Sequence, residues 1–204
     1  MNCSSSEYAL DITAPASINA SVFDVSFNRT QDSDGHPTLK MTYLYMKAID
    51  EHCNGTVAVE TCSIRTATVS YNLLQVGRDI RLLRNSYPKP LSIVPSLGDL
   101  PGPDDSPAGA LTALHSLGNS YLTSSVILAG LHNGSYGTES EGTLEMEYDE
   151  PNPTRQGALN SSCRMLYTNS TDDVLWRMHE IMFRMARAAS TGKQLANILT
   201  QHLL

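Results

Sequence analysis

The sequence predicts an α+β domain made mainly of antiparallel β-sheet, with a short central helix and a C-terminal amphipathic helix. Two observations support this fold class. Apolar and polar residues alternate in several short runs, as in strands with one buried face, and a longer run after residue 170 has the 3.6-residue period of a helix. The chain has 204 residues, of which 41% are hydrophobic and 17% charged. This composition fits one domain over residues 1–204 and excludes disorder along the whole chain.

Three early runs of alternating residues predict three strands. The first covers residues 20–27, the second 39–45 and the third 67–73. Each run places apolar side chains on one face and polar side chains on the other. A turn at Cys53 lies between the second and third runs. We therefore expect these two strands to be antiparallel neighbours.

The middle of the chain predicts an irregular crossing, a short helix and two more strands. Six of the ten prolines lie between residues 87 and 107, which favours an extended surface segment without regular structure. Ser106-Pro107 provides the N-cap and first position of a helix that should end at Gly118. Beyond it, the pattern predicts a buried strand at residues 126–129 and a half-exposed strand at residues 143–148.

The C-terminal segment, residues 171–204, is predicted to be helical. Ser170 and Asp173 form a start that resembles a capping box, and one continuous apolar face follows as far as Gly192. Three methionines lie on this face: Met178, Met182 and Met185. Such a stripe is typical of packing against a core. A second helical piece is expected at residues 195–203.

Asparagines in N-x-S/T triplets indicate the cellular compartment. Seven of the twelve asparagines occur in this triplet: Asn2, Asn19, Asn28, Asn54, Asn133, Asn160 and Asn169. Random placement among the serines and threonines would give about 2.4 triplets. We infer that the chain passes through the secretory pathway and that most of these asparagines lie on exposed loops and carry glycans.

The cysteines support the same compartment. There are four, Cys3, Cys53, Cys62 and Cys163, and no C-x-x-C pair, which excludes a zinc ribbon and a thioredoxin-type site. Disulfides are favoured. Of the three possible pairings we prefer Cys53–Cys62 with Cys3–Cys163, because Cys53 and Cys62 flank a short turn at Asn54-Gly55.

Charge and hydropathy exclude two classes of protein. The net charge is -7, and the basic residues are too dispersed to displace counterions from a nucleic acid. The longest strongly apolar run, residues 126–131, is too short to cross a bilayer. Residues 1–19 also lack the basic and apolar regions of a signal peptide. An excised ectodomain, a truncated chain or an upstream transmembrane helix would each account for this.

Two patterns allow hydrolase chemistry as an alternative. Asn133–Gly137 approaches G-x-S-x-G around Ser135, but its first position is Asn and Ser135 belongs to a glycosylation triplet, so a glycosylated turn is favoured. A glycosidase would need two carboxylates, and no pair is singled out by an apolar setting. The six histidines are His36, His52, His115, His132, His179 and His202. They lack zinc-site spacing, and His179-Glu180 is predicted on the polar side of its helix.

Two acidic features resemble cation sites. Asp32, Asp34 and Gly35 imitate the opening of an EF-hand loop, but its twelfth position is Tyr43, so a polar turn is favoured. An acidic run comprises Glu139, Glu141, Glu145, Glu147, Asp149 and Glu150. Its alternation is typical of a solvated strand face. The spacing of Arg78, Arg81 and Arg84 likewise indicates a surface. We assign no catalytic, cofactor or metal residue.

A family resemblance rests on three segments. Residues 61–71, TCSIRTATVSY, resemble the pattern C-x-L-x-x-A/C-V-x-x-Y in extracellular regions of uncharacterised ascomycete multi-pass membrane proteins. Two further segments are similar to that family: the helix at residues 110–117 leading into 121–131, and the last helix around Met182-Phe183-Arg184. The likeness follows the order of segments from Leu39 to Ala189. It implies a glycosylated, disulfide-tied fungal ectodomain between transmembrane helices, with no established enzymatic activity.

Together these patterns predict a non-catalytic, glycosylated extracellular domain of a fungal membrane or secreted protein. Its role would be adhesion, sensing or the binding of a protein or carbohydrate ligand. Attachment to the membrane would use segments outside these 204 residues. The alternative is a secreted hydrolase, glycosidase-like or esterase-like, with carboxylate or serine chemistry.

Overall fold

The computed structural model describes residues 2–14, 17–50, 52–77, 79–83, 89–93, 110–130, 136–149, 165–189 and 201–203. The strands in this part of the chain are β1 (Asn2–Asp11), β2 (Ser21–Gln31), β3 (Pro37–Ile49), β4 (Asn54–Ile64), β5 (Thr66–Ser70), β6 (Leu73–Val76), β7 (Asp79–Leu82), β8 (Lys89–Ile93), β9 (Ser124–Gly130), β10 (Tyr136–Glu141) and β11 (Gln201–Leu203). The helices are α1 (Ala110–Tyr121), α2 (Leu144–Tyr148) and α3 (Thr171–Ala189).

A six-stranded antiparallel sheet forms the centre of the fold. Its strand order is β1-β4-β3-β2-β9-β10, so β2, β3 and β4 form a meander that β1 and β9 extend on opposite sides. A three-stranded sheet of order β11-β5-β8 and the β6–β7 hairpin complete the described strands. The structure thus confirms the coarse fold class, mostly antiparallel β-sheet with a few helices.

One face of the main sheet is buried beneath the helices. Register places Phe23 opposite Tyr45 and Val25 opposite Tyr43, and all four side chains are buried. The predicted alternation in β2 and β3 is therefore confirmed. The helices add further buried apolar side chains: Leu111 and Leu114 from α1, and Val174, Leu175, Met178, Met182 and Phe183 from α3. Met178 and Met182 are core residues as predicted, while the side chain of Met185 lies outside the description.

Aromatic rings fill the space between the buried face and the helices. The ring centroids of Phe23 lie 4.8 Å from Tyr167 and 5.6 Å from Tyr43. The Tyr43 hydroxyl donates to the carbonyl of Thr168 at 2.9 Å, so the polar group of this buried side chain has a hydrogen-bond partner. Burial raises the pKa of Tyr43 to about 12. The hydroxyl is therefore neutral at physiological pH.

The predicted pairing of the second and third runs is wrong. β3 pairs with β4, with Tyr45 opposite Ala58, whereas the run at residues 67–73 supplies β5, which pairs with β8 and β11 in a separate sheet. The sequence pattern missed β4 because small and polar residues interrupt its apolar positions around Val57. A strand identified only by strict alternation is lost in this way.

The predicted strand at residues 143–148 is also wrong, because Leu144–Tyr148 forms α2. Leu144 and Tyr148 are both buried, while Met146 is exposed. A spacing of four residues places the first two on one side of a helix. Gly142 enters this turn with φ +86°, and a Cβ there would lie 2.6 Å from the carbonyl oxygen of Thr123.

The Pro-rich segment 87–107 contains a strand that the sequence did not predict. β8 pairs with β5 at the edge of the three-stranded sheet, and the register shifts between Thr68 and Val69, where Pro90 is the partner. An edge position next to an irregularity tolerates proline, which has no N–H to donate. Ser106-Pro107 lies outside the described residues, and α1 continues past Gly118 to Tyr121.

The long C-terminal helix is confirmed, but the second helical piece is not. α3 covers Thr171–Ala189, close to the predicted bounds. Residues 201–203 form β11, which pairs with β5 from Thr66 to Thr68. Residues 195–200 lie outside the described residues. At residues 201–203 the apolar period is too short to distinguish helix from strand.

The preferred disulfide pairing is wrong, since Cys3 bonds to Cys62. The two cysteines are opposite each other in the β1–β4 register, with Cα atoms 4.1 Å apart. Cys53 stands before β4, so nine residues of extended chain place it about 30 Å from Cys62, beyond the reach of a disulfide. Cys53 is itself disulfide-bonded, and Cys163 lies outside the described residues.

Candidate functional site

Five of the seven glycosylation-triplet asparagines lie in the described part of the chain, and all five are exposed. They are Asn2, Asn19, Asn28, Asn54 and Asn169. Asn133 and Asn160 lie outside the described residues. The positions differ in structure: Asn2, Asn28 and Asn54 are in strands, Asn19 is in a turn and Asn169 lies two residues before α3. The expectation that most would lie on loops does not hold among the described positions, although each of them is accessible.

The side chains of two of these asparagines also make hydrogen bonds within the protein. The amide nitrogen of Asn169 donates to Glu60 at 2.6 Å, and its side-chain oxygen accepts from the backbone N–H of Thr171 at the start of α3. The amide nitrogen of Asn54 donates to Asp50 at 3.1 Å. A glycosylated amide keeps one N–H, so attachment of a sugar is compatible with each of these bonds.

The second face of the main sheet is half-exposed and rich in hydroxyl groups. Register aligns Ser4, Thr61, Thr42 and Ser26 in one row across β1, β4, β3 and β2. We call this surface the open face. In the next row Asn2 and Asn28 occupy the two ends, with Ser63 and Lys40 between them. Three strand spacings separate the two asparagines, which is about 14 Å.

A half-buried carboxylate, Asp24, lies on the open face. Its strand neighbours are Leu44 on β3 and Ser125 on β9. Burial raises the pKa of Asp24, while the Ser26 hydroxyl, which donates to its carboxylate at 2.9 Å, acts in the opposite direction. The side chain therefore offers hydrogen bonding at the centre of this face.

The EF-hand-like residues form a tight polar turn between β2 and β3, as predicted. The carboxylate of Asp32 accepts from the backbone N–H groups of Asp34 at 2.9 Å and His36 at 2.8 Å, and Arg65 lies 2.9 Å from its other oxygen. Burial opposes ionisation, but these donors and the Arg65 cation hold the pKa of Asp32 below its usual range. Asp32, Asp34 and His36 are the one group of three potential metal ligands among the described residues.

The acidic run is divided between surface and interior. Glu139 and Glu141 are exposed on β10, whereas Glu145 is buried and accepts from the Ser124 hydroxyl at 2.9 Å. Arg177 of α3 makes ion pairs with Glu147 and Asp173. These carboxylates therefore join α2 to β9 and to α3, and the solvated strand face predicted for the whole run is wrong for its second half.

His179 is not on the polar side of α3 as predicted. Its Nδ1 lies 3.1 Å from the Tyr71 hydroxyl, and Phe183 packs against the same tyrosine ring. Burial lowers the pKa of His179 to about 4. The imidazole is neutral at physiological pH and fastens α3 to the chain that follows β5.

The residues of the hydrolase alternative do not converge within the described part of the chain. Ser135 and His132 lie outside it, and His179 contacts a tyrosine. His115 hydrogen bonds to Asn119 on α1 at 3.0 Å, while His52 occupies an exposed turn.

Comparison with known proteins finds no match: no family model, no curated protein and no solved structure is similar to this chain. Across the described residues, none of the helices has the length and apolar character needed to span a membrane.

Sequence reasoning missed three features of the surface. β1 carries no alternation signal because nearly all of its side chains are exposed. The burial of Glu145 and His179 depends on partners distant in the sequence, Ser124 and Tyr71. The β6–β7 hairpin exposes leucines, and the run of leucines around Arg81 in the sequence was the available signal.

Proposed function

We propose that this chain is a non-catalytic, glycosylated ectodomain of a fungal membrane or secreted protein, which serves adhesion, sensing or ligand binding. The observation that carries the proposal is the exposure of every triplet asparagine in the described residues. Glycosylation triplets are modified only in a chain that enters the secretory pathway. The asparagine that carries a sugar must also be accessible in the folded protein.

The disulfide supports the same compartment. Cys3 and Cys62 join the exposed strand β1 to β4, and Cys53 is also oxidised. Disulfides of this kind persist in secreted and extracellular proteins and are rare where thiols are kept reduced. Oxidised cysteines and accessible triplet asparagines are therefore independent arguments for one location.

The open face is the surface that we assign to ligand binding. Its row of hydroxyl groups and the half-buried Asp24 offer hydrogen bonds without a catalytic arrangement. Glycans on Asn2 and Asn28 would flank one end of this face, about 14 Å apart. A ligand would then approach over the rows that lie away from Lys40 and Ser63.

The test is expression in a eukaryotic secretory host, followed by glycosidase treatment and peptide mass spectrometry. We expect a mobility shift on treatment and sugar on Asn28, whose site is lost in Asn28→Gln. The matched control is Asn119→Gln, which changes an exposed asparagine outside any triplet and should leave the shift intact. Secreted protein with unmodified asparagines at all five described positions would refute the proposal.

A further inference from the structure

We propose that the β6–β7 hairpin docks on a phospholipid bilayer surface through one apolar face. Register places Leu74 opposite Arg81 and Val76 opposite Asp79, and the backbone N–H of Leu83 donates to the carbonyl of Asn72, which extends the ladder by one pair. Residues on alternate positions share a face. Leu74, Val76 and Leu83 therefore project together, and Arg81 and Asp79 occupy register positions on the same face.

These side chains are exposed to an unusual degree for their type. Leu74 is 48% exposed, Val76 60% and Leu83 44%, and Leu73 on the other face is 50% exposed. The opposite face also carries Ile80 and Leu82, which are partly buried. The face that carries Leu74, Val76 and Leu83 thus presents three apolar side chains to solvent. Clustered exposed apolar groups mark an interaction surface.

The charge of this segment favours a phospholipid surface as the binding partner. Four basic residues, Arg78, Arg81, Arg84 and Lys89, and one acidic residue, Asp79, lie between residues 72 and 91. The rest of the chain is strongly acidic, since the whole carries -7. Guanidinium groups bind phosphate oxygens through paired donors. Apolar side chains that enter the boundary between headgroups and acyl chains, with Arg81 beside them at the phosphates, fit a phospholipid surface.

The distribution of glycosylation triplets supports this assignment, and this step rests on the proposed function. The sequence contains no triplet between Asn54 and Asn133, the longest such interval, and the hairpin lies within it. A surface held against headgroups must be free of sugars. The exposed leucines and the basic charge are observations that do not depend on the proposed function.

The experiment is co-sedimentation of the secreted, glycosylated protein with vesicles. We expect binding to phosphatidylcholine vesicles that strengthens with added phosphatidylglycerol and weakens with salt. Leu74→Ser combined with Val76→Ser should reduce the partition coefficient by about tenfold, and Arg81→Gln should weaken the dependence on phosphatidylglycerol. The control is Met146→Ser, which removes an apolar side chain that is 77% exposed on α2 and should bind as the unchanged protein does.

A second measurement distinguishes the loss of membrane binding from misfolding of the serine variants. Val76→Trp in a background with Trp176→Phe places the single tryptophan at the tip of the hairpin, and brominated phosphatidylcholine should quench its emission. Equal sedimentation of the unchanged protein and the double serine variant would overturn the proposal. So would dimers that the same substitutions dissociate, because the face would then bind protein. Vesicle binding by unglycosylated protein refutes only the proposed function, whereas glycosylated protein that ignores vesicles refutes only this inference.

Discussion

At the scale of single residues, His179 links α3 to the segment after β5. It is largely buried, it lies 3.1 Å from the Tyr71 hydroxyl, and burial lowers its pKa to about 4. An unfolded histidine has a pKa of about 6.5. Between these two values the unfolded chain takes up a proton that the folded chain excludes.

We therefore expect the free energy of unfolding to fall as pH decreases from about 6.5 to about 4, by about 3 kcal/mol in total. Above the upper value the contribution of His179 is fully present. Denaturant unfolding at a series of pH values measures it. His179→Gln should flatten the profile across this window, whereas His52→Gln at an exposed turn should leave the profile unchanged. An unaltered slope in His179→Gln would show that another group is responsible.

A second prediction concerns the effect of a side chain at Gly118 on the stability of the domain. A Cβ there would lie 2.9 Å from the ring of Phe27, a buried residue of β2. Alanine normally favours a helix over glycine by about 1 kcal/mol. Here the overlap should dominate, and Gly118→Ala should destabilise the domain by about 1 to 3 kcal/mol.

Thermal or denaturant unfolding checks the effect of Gly118→Ala. Ser116→Ala, an exposed position on the same helix, serves as the control and should not destabilise the fold. Adding Phe27→Leu to Gly118→Ala should recover part of the loss, since the ring that the new methyl group meets is gone. A stabilising effect of the single variant would mean that α1 moves away from β2 without cost.

At the scale of elements, local periodicity predicted those parts whose burial is one-sided. β2, β3 and α3 each bury one face, so buried residues recur at the period of the element. The interval is two residues in β2, as in Phe23, Val25 and Phe27, and four in α3, as in Val174, Met178 and Met182. β1 gave no signal because both of its faces are exposed. α2 was taken for a strand because Leu144 and Tyr148 satisfy both the two-residue period and the helical spacing of four.

Partners distant in the sequence could not be derived in the same way. Tyr71 and His179 are 108 residues apart, and Cys3 and Cys62 are 59 apart. Their contacts depend on which strands become neighbours, and that choice follows from packing of the whole sheet. The glycosylation triplets are different, since the motif is local and exposure of an asparagine follows from its polarity.

At the scale of the whole molecule, the Cys3–Cys62 disulfide closes 59 residues of chain, including β2, β3 and most of β4. β1 has little else to hold it beyond its backbone ladder, because its side chains are nearly all exposed. One ion pair, Lys47 with Glu7 at 2.6 Å, lies at the surface, where such pairs contribute little. The covalent bond is thus the main side-chain attachment of this edge strand.

Replacing both cysteines, Cys3→Ser with Cys62→Ser, should lower the free energy of unfolding by about 4 kcal/mol, since the unfolded chain regains the entropy of a 59-residue loop. Hydrogen exchange should rise first in the amides of β1 and only slightly in those of β3, which has a partner strand on each side. Peptide mapping without reduction should recover Cys3 linked to Cys62 in the unchanged protein. Recovery of Cys53 linked to Cys62, or β1 amides that stay protected in the double variant, would contradict this account of how the sheet edge is held.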